Sequence, residues 1–228
     1  MTASSRAAGW TRLLAGAVAH DINNFVQGLS SARSLAGAPG VTIADAAETA
    51  AIIDDDLEQL RTMGSRLRAL ASAGESEAST RLADACADSC AEVDRPPAQI
   101  RAGSIPADLC VAGTAAALTT AIAALLEHAL AASPAAAPVR LAVHGPQSLG
   151  APVIVEIAAP EAGELGAIGH ARLDVVLASA LREQRGDARL ILAGAIADAL
   201  GGAVYVASDA KAGLLLALHL VEGALPIR

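Results

Sequence analysis

The stretch AVAHDINNFVQG (residues 17–28) places a histidine, an acid and an amide pair inside a segment with helical periodicity. Its apolar positions recur at spacings of four, four, three and four, which predicts one buried stripe on a helix over residues 10–36. The stripe consists of Leu14, Val18, Ile22, Phe25 and Leu29. At 100° per residue, His20 falls almost opposite the stripe. Small or polar residues share that side, namely Gly16, Asn24, Gln27 and Ser31. His20 is therefore predicted to project into solvent, with Asn24 one turn away.

A second long helix is predicted after a turn at residues 38–40. Thr42 precedes Asp45 by three residues, which is a capping-box arrangement, and the helix should run to about Ala71. Its apolar seam alternates spacings of four and three and contains Ile53, Leu57, Leu60, Gly64, Leu67 and Ala71. Two such helices form an antiparallel hairpin that cannot cover its own apolar surface. Pairing with a second copy, as a homodimeric four-helix bundle, is the expected solution.

The pattern of the chain changes after a polar linker at residues 73–77. Four further helices are predicted, over 82–93, 115–132, 171–183 and 187–200. Strands are predicted over 140–144, 153–159, 203–208 and 214–221, with a break at Gly201 and Gly202. Mixed helices and strands indicate a layered α/β or α+β domain. The predicted organisation is a helical hairpin over residues 1–74 and an α/β domain over residues 75–228.

Composition and charge argue against several functional classes. The net charge is −8 with no basic run, so a nucleic-acid surface is not expected. Cys86 and Cys90 are interpreted as buried apolar residues, and the odd cysteine count favours a reducing compartment. The most apolar window contains Glu127 and His128, which indicates a buried helix rather than a membrane span. The N-terminus lacks a signal-peptide pattern, and the protein is expected to be soluble and cytoplasmic.

His20 is either an ordinary surface histidine or a nucleophile. A solvent-exposed imidazole is largely neutral at pH 7 and hence nucleophilic. A carboxylate that accepts a hydrogen bond from one ring nitrogen leaves the other free to attack, and Asp21 is the candidate for that role. Adjacent helical residues do not face each other, so this contact requires a suitable rotamer. A metal role is weaker, because no second ligand of the right kind lies three or four residues away.

The residues around His20 resemble the phosphoacceptor box of bacterial sensor histidine kinases. His20 matches the phosphorylated histidine, Asp21 the acid and Asn24 the amide position, and Phe25 stands where proline is usual. The order of later elements resembles the ATP-binding domain of these kinases. The matching segments are residues 125–134, 153–165, 186–208 and 211–221. The resemblance implies a C-terminal α/β sandwich of the kinase type.

The nucleotide-binding residues of that family do not carry over. His128 stands where the family has a magnesium-binding asparagine. Ala159 and Glu161 align with the aspartate that reads adenine, and only Gly163 remains of the following glycines. Residues 187–189 replace the glycine-rich phosphate turn, and Asp187 would repel a triphosphate. The sequence therefore predicts a degenerate domain that binds no ATP and no other cofactor.

This combination looks like the dimeric histidine phosphotransferases derived from histidine kinases. The resemblance implies that His20 relays phosphoryl groups between response-regulator receiver domains, which bring their own aspartate and magnesium. The other interpretations are an ATP-dependent kinase with divergent nucleotide boxes and a non-catalytic module that sequesters a regulator. Receiver docking is expected beside His20 toward the hairpin turn, at Gln27 and Ser31. The four remaining histidines are assigned no role, and these are His128, His144, His170 and His219.

Overall fold

A computed structural model describes residues 3–36, 38, 42–74, 78–93, 99–133, 137–148, 150–159, 171–173, 187–209 and 213–222. The helices in these ranges are α1 (Ala3–Ala36), α2 (Ile43–Ala73), α3 (Leu82–Glu92), α4 (Ala115–Ala132) and α5 (Ala188–Ala199). The strands are β1 (Ser79–Arg81), β2 (Ile100–Ala102), β3 (Cys110–Ala112), β4 (Val139–His144), β5 (Val153–Ala158), β6 (Ala171–Arg172), β7 (Ala203–Asp209) and β8 (Gly213–Leu220).

Helices α1 and α2 pack against each other as the predicted hairpin. The capping box at the start of α2 is confirmed: the amide of Asp45 donates to the Thr42 hydroxyl at 3.2 Å, and the Thr42 amide donates to the Asp45 carboxylate at 2.9 Å. Gly28 lies where the two helices approach closely. A Cβ atom added there would come within 2.7 Å of Asp56 Oδ2. A side chain at position 28 would therefore require the Asp56 carboxylate to move.

The C-terminal part is a mixed sheet covered by helices. Its strand order is β2-β4-β5-β8-β7-β6, with β2 and β4 parallel and the remaining neighbours antiparallel. Strands β1 and β3 form a separate antiparallel pair. Helix α5 ends at the predicted glycine break, where Gly201 has φ +74° and a Cβ on Gly202 would collide with the His219 carbonyl. The two glycines thus turn the chain from α5 directly into β7.

Helix α4 is the central core helix. Leu118, Ile122, Leu125 and Leu126 are fully buried on it. Among the described helices, α4 alone has the length and apolar composition of a membrane span, and 67% of it is buried within this domain. Burial on nearly all sides explains why its sequence is apolar around its whole circumference.

The hairpin and the α/β domain share one continuous core. Trp10 and Leu13 of α1 are each only 7% exposed and belong to the same cluster of buried residues as α4 and α5. The Trp10 ring lies over Gly194 of α5, where a Cβ atom would collide with the ring. The sequence did not predict this contact. The boundary predicted at residue 74 stays a prediction, since α2 ends at Ala73 and residues 75–77 lie outside the described residues.

One predicted helix differs from the structure, and three short strands were not predicted. The sequence predicts a helix that begins at Ala171, but Ala171 and Arg172 form β6 and pair with Val206 and Tyr205 of β7. In β6 these backbone groups form hydrogen bonds with β7, a long-range contact that the helix propensity of the segment itself cannot predict. The rest of that predicted helix, residues 174–183, lies outside the described residues. Strands β1, β2 and β3 have three residues each and are too short to show a periodic pattern.

Candidate functional site

His20 lies on the exposed side of α1, as the helical periodicity predicts. Its side chain is 73% exposed, whereas that of Asp21 is 37% exposed. The residues predicted to share its face are also exposed, and these are Gly16, Asn24, Gln27 and Ser31. The predicted stripe is not fully buried in the single chain, since Ile22 within it is 44% exposed. Buried residues on α1 include Trp10, Leu13 and Ala32, and Leu13 lies seven residues before His20 on nearly the same side of the helix. The imidazole is therefore accessible to a partner in the single chain.

Two neighbours contact the same ring nitrogen of His20. Asp21 Oδ1 lies 3.4 Å from Nδ1, so the rotamer that this contact requires is present. Asn24 Nδ2 lies 3.2 Å from the same Nδ1. A carboxylate accepts the proton of Nδ1–H, whereas an amide NH₂ donates to an unprotonated Nδ1. The two contacts thus favour opposite tautomers of His20.

The tautomer decides which nitrogen can react. When Nδ1 carries the proton and donates it to Asp21, Nε2 holds the free lone pair. Within the described part of the chain, no hydrogen bond to Nε2 is found. Rotation of the Asn24 amide by 180° would present its oxygen to Nδ1–H and remove the conflict. The arrangement can therefore present Nε2 as an outward-facing nucleophile.

His20 lines a cleft of about 1100 Å³ between the hairpin and the α/β domain. Three arginines line it, namely Arg12, Arg66 and Arg189. Six carboxylates also line it, namely Asp21, Asp55, Glu58, Glu92, Glu127 and Asp187. The cleft connects the candidate phosphoacceptor with the ends of α4 and α5, where the sequence comparison places the degenerate nucleotide boxes.

Asp187 occupies the N-terminus of α5. Its Oδ1 accepts the Arg189 amide at 2.8 Å, and its Oδ2 lies 2.7 Å from His128 Nδ1. Burial acts to raise the pKa of Asp187, but the hydrogen bonds and charges of His128 and Arg189 outweigh it and lower the pKa below its ordinary value. An ionised carboxylate thus fills the position where a phosphate would bind at a helix N-terminus.

An ion pair joins the hairpin to this edge of the domain. Arg66 of α2 donates to the carboxylate of Glu127 on α4, and their side chains are 22% and 23% exposed. Arg189 of α5 donates through Nη1 to the Glu127 carbonyl at 3.2 Å. Sequence reasoning gave Arg66 and Glu127 no role, because 61 residues separate them and no local pattern links them.

Some of the other candidate positions from the sequence lie in the described residues, and others lie outside them. Ala159 is buried and its amide donates to the Leu214 carbonyl at 2.8 Å, so it serves the sheet. Glu161 and Gly163 lie outside the described residues. Cys86 is buried as predicted, and burial followed by the nearby Cys90 raises its pKa to about 12. The described residues contain no group of three or more His, Cys, Asp or Glu side chains placed to hold a metal ion.

Comparison with solved structures identifies the fold. The histidine kinase AdeS of Acinetobacter baumannii aligns with 90% of this chain and 98% of its own, with a TM-score of 0.54 and 12% identity. Full-length ShkA, solved in complex with AMPPNP, aligns with 94% of this chain and 47% of its own, with a TM-score of 0.54 and 17% identity. This chain has a histidine kinase fold. It spans about half the length of ShkA.

The histidine kinase fold confirms the predicted fold class of a helical N-terminal region followed by a mixed-sheet α/β domain. No protein-family model and no curated protein matches the sequence. The dimeric state of the four-helix bundle and the roles of His20, Asp21 and Asn24 stay predictions.

Proposed function

We propose that this protein is a histidine phosphotransfer protein of a two-component phosphorelay, which passes phosphoryl groups between response-regulator aspartates through His20 without using ATP. The observation that carries the proposal is the exposed imidazole whose Nδ1 contacts Asp21, while among the described residues no hydrogen bond to Nε2 is found. An ordinary surface histidine does not require a neighbouring carboxylate at one nitrogen. The histidine kinase fold supplies the two-component context.

The chemical step is a displacement at phosphorus. The lone pair of His20 Nε2 forms the N–P bond, and the bond from phosphorus to the regulator's aspartate oxygen breaks. The aspartate leaves as a carboxylate, and the ring keeps the Nδ1 proton and becomes positively charged. Asp21 stabilises that charge through the Nδ1–H hydrogen bond. A second regulator's aspartate reverses the step. Magnesium enters with the receiver domain.

The edge that would bind nucleotide supports a role without ATP. The ionised Asp187 caps α5, and His128 is engaged with it rather than placed to hold magnesium. A triphosphate would have to displace both contacts and face the negative charge of Asp187. The residues present therefore do not fit a magnesium–ATP site.

The ATP-dependent kinase remains the second candidate because of one observation. The cleft of about 1100 Å³ runs from His20 to the former nucleotide edge, which is where a phosphate donor would lie. Titration calorimetry with magnesium–ATP separates the two functions. We expect no binding, and micromolar affinity with labelling of His20 would favour the kinase.

The apolar surface of the hairpin supports a homodimer. Six large apolar side chains are exposed on α1 and α2 in the single chain, namely Ile22 at 44%, Val26 at 54%, Leu35 at 58%, Ile43 at 92%, Ile52 at 45% and Leu57 at 39%. Such a cluster favours association rather than solvation. A second copy covering this surface would complete a four-helix bundle.

The receiver domain would dock beside His20 toward the hairpin turn. Gln27 and Ser31 are exposed on that side, and Gly28 between them faces Asp56 of α2. Replacing Ser31 with arginine should slow transfer from a phosphorylated receiver and leave the dimer intact.

The deciding experiment follows phosphate from a labelled receiver domain onto this chain. Wild type should gain acid-labile phosphate, and His20→Ala should gain none. His144→Ala, a histidine that is 49% exposed on β4, serves as the control and should label normally. Undiminished labelling of His20→Ala would refute the proposal. Regulator binding with no transfer in wild type would instead support the module that only sequesters a regulator.

A further inference from the structure

The α/β domain is held against the hairpin at two places. At one, Trp10 of α1 packs on Gly194 of α5, where any side chain would collide with the ring. At the other, Arg66 of α2 is paired with Glu127 of α4, and both side chains are more than three-quarters buried. Burying the two charges costs desolvation free energy, which is offset only while Arg66 and Glu127 remain paired.

The former nucleotide edge is bound into the second contact. The Glu127 carbonyl accepts from Arg189, and Arg189 shares Asp187 with His128. These contacts tie the end of α4 to the start of α5, and Arg66 then ties both to α2. The residues that stand at the degenerate boxes therefore bind one another and the hairpin.

This cluster borders the space in front of His20. Arg66, Glu127, Asp187 and Arg189 all line the same cleft as His20. A displacement of the α/β domain would change the width of that cleft and leave the imidazole and its Nδ1 contacts on α1 untouched. The width of the cleft and the chemistry of the imidazole thus depend on different residues.

We propose that the Arg66–Glu127 pair, backed by the contacts at the start of α5, forms an interdomain lock that fixes the width of the cleft beside His20, and so sets how closely a receiver domain docked along Gln27 and Ser31 can approach the imidazole. Arg66 is a positioning residue, since it acts through the placement of the α/β domain. The proposal rests on the phosphotransfer function above. It assigns the degenerate nucleotide edge a structural task in partner recognition.

The test uses the full-length chain and two phosphate donors. Phosphoramidate is small and needs no docking surface, whereas a phosphorylated receiver domain does. Arg66→Ala should raise the KM for the receiver about 5- to 20-fold with little change in kcat, as expected when one partner of a buried pair is removed. Its labelling by phosphoramidate should equal that of wild type.

Two variants and one optical measurement complete the design. Arg66→Lys keeps a cation that can pair with Glu127, and it should restore most of the receiver KM. Arg61→Ala removes a cation from the exposed face of α2, where Arg61 is 74% exposed, and should have no effect. Trp10 is the sole tryptophan, so quenching of its fluorescence by acrylamide reports on the hairpin–domain contact. Quenching should increase in Arg66→Ala.

The outcomes are distinguishable. An unchanged receiver KM in Arg66→Ala would overturn the lock and leave the phosphotransfer function standing. A receiver KM as high in Arg66→Lys as in Arg66→Ala would also overturn the lock alone. If neither donor labels wild type, the phosphotransfer function falls and the docking role of the lock falls with it. Increased Trp10 quenching in Arg66→Ala would then still show that the ion pair holds the domains together.

Discussion

Replacing Asp21 with asparagine tests how the tautomer of His20 is set. The substitution keeps the shape of the side chain and removes the carboxylate that accepts from Nδ1–H. The contact is 3.4 Å long, which is longer than the 2.7–2.9 Å typical of charge-assisted hydrogen bonds. With His20 at 73% and Asp21 at 37% exposure, water competes for both groups. The interaction should therefore be weak.

The expected size of the effect follows from this geometry. Exposed ion pairs of this kind contribute about 0.2–1 kcal/mol. Because about 1.4 kcal/mol corresponds to a tenfold change in rate, loss of the carboxylate charge should slow phosphorylation of Nε2 by a factor of about 1.4 to 5. The effect should appear with a small donor as well as with a receiver domain, since it acts on the imidazole itself.

The assay is the initial rate of His20 phosphorylation by phosphoramidate at a fixed pH above neutrality. Glu58→Gln is the matched control, because Glu58 is a 68%-exposed carboxylate of the same cleft that contacts Arg61 rather than His20. A rate equal to that of wild type would show that Asp21 does not select the tautomer. A loss of more than about a hundredfold would exceed what an exposed contact provides and would assign Asp21 a direct chemical role.

Four other outcomes are expected. Asn24→Ala should slow labelling by phosphoramidate less than about fivefold, because the Asn24 amide, rotated so that its oxygen accepts from Nδ1–H, shares this exposed contact with Asp21; a loss of more than about a hundredfold in the same assay would contradict this. Val26→Glu should halve the mass measured by light scattering, whereas Val221→Glu, an equally exposed position in the α/β domain, should not. Gly194→Ala should destabilise the protein by about 1–3 kcal/mol through overpacking against Trp10, seen as a lower midpoint in thermal unfolding followed by Trp10 fluorescence. The pKa of Asp187 is lowered in the folded state, so its ionised carboxylate stabilises the fold at pH values above the ordinary carboxyl pKa. This stabilisation is lost as the pH falls through the lower pKa of the folded state. Asp187→Asn should therefore remove this part of the pH dependence of the unfolding free energy, measured by chemical denaturation.

Helical periodicity in the sequence was enough to determine the face of α1 that carries His20. Helix geometry fixes the angle between His20 and the five apolar positions. It did not predict which sides are buried, because Ile22 among those positions is 44% exposed and Leu13, on nearly the same side as His20, is buried against the α/β domain. The capping box of Thr42 and Asp45 and the glycine break at Gly201 were likewise readable, because each depends on residues within three positions of one another. Resemblance to the kinase boxes then supplied the order of the larger elements.

Only the tertiary structure brought distant residues together. The Arg66–Glu127 pair and the packing of Trp10 on Gly194 join positions 61 and 184 residues apart, and neither position carries a local signal of its partner. The short strands β1, β2 and β3 also depend on partners elsewhere in the chain rather than on their own three residues. The sequence alone determined the candidate nucleophile and its immediate neighbours, because these lie on one helix. The cleft in front of His20 was decided by long-range packing, since its walls come from separate elements whose distance only the folded chain defines.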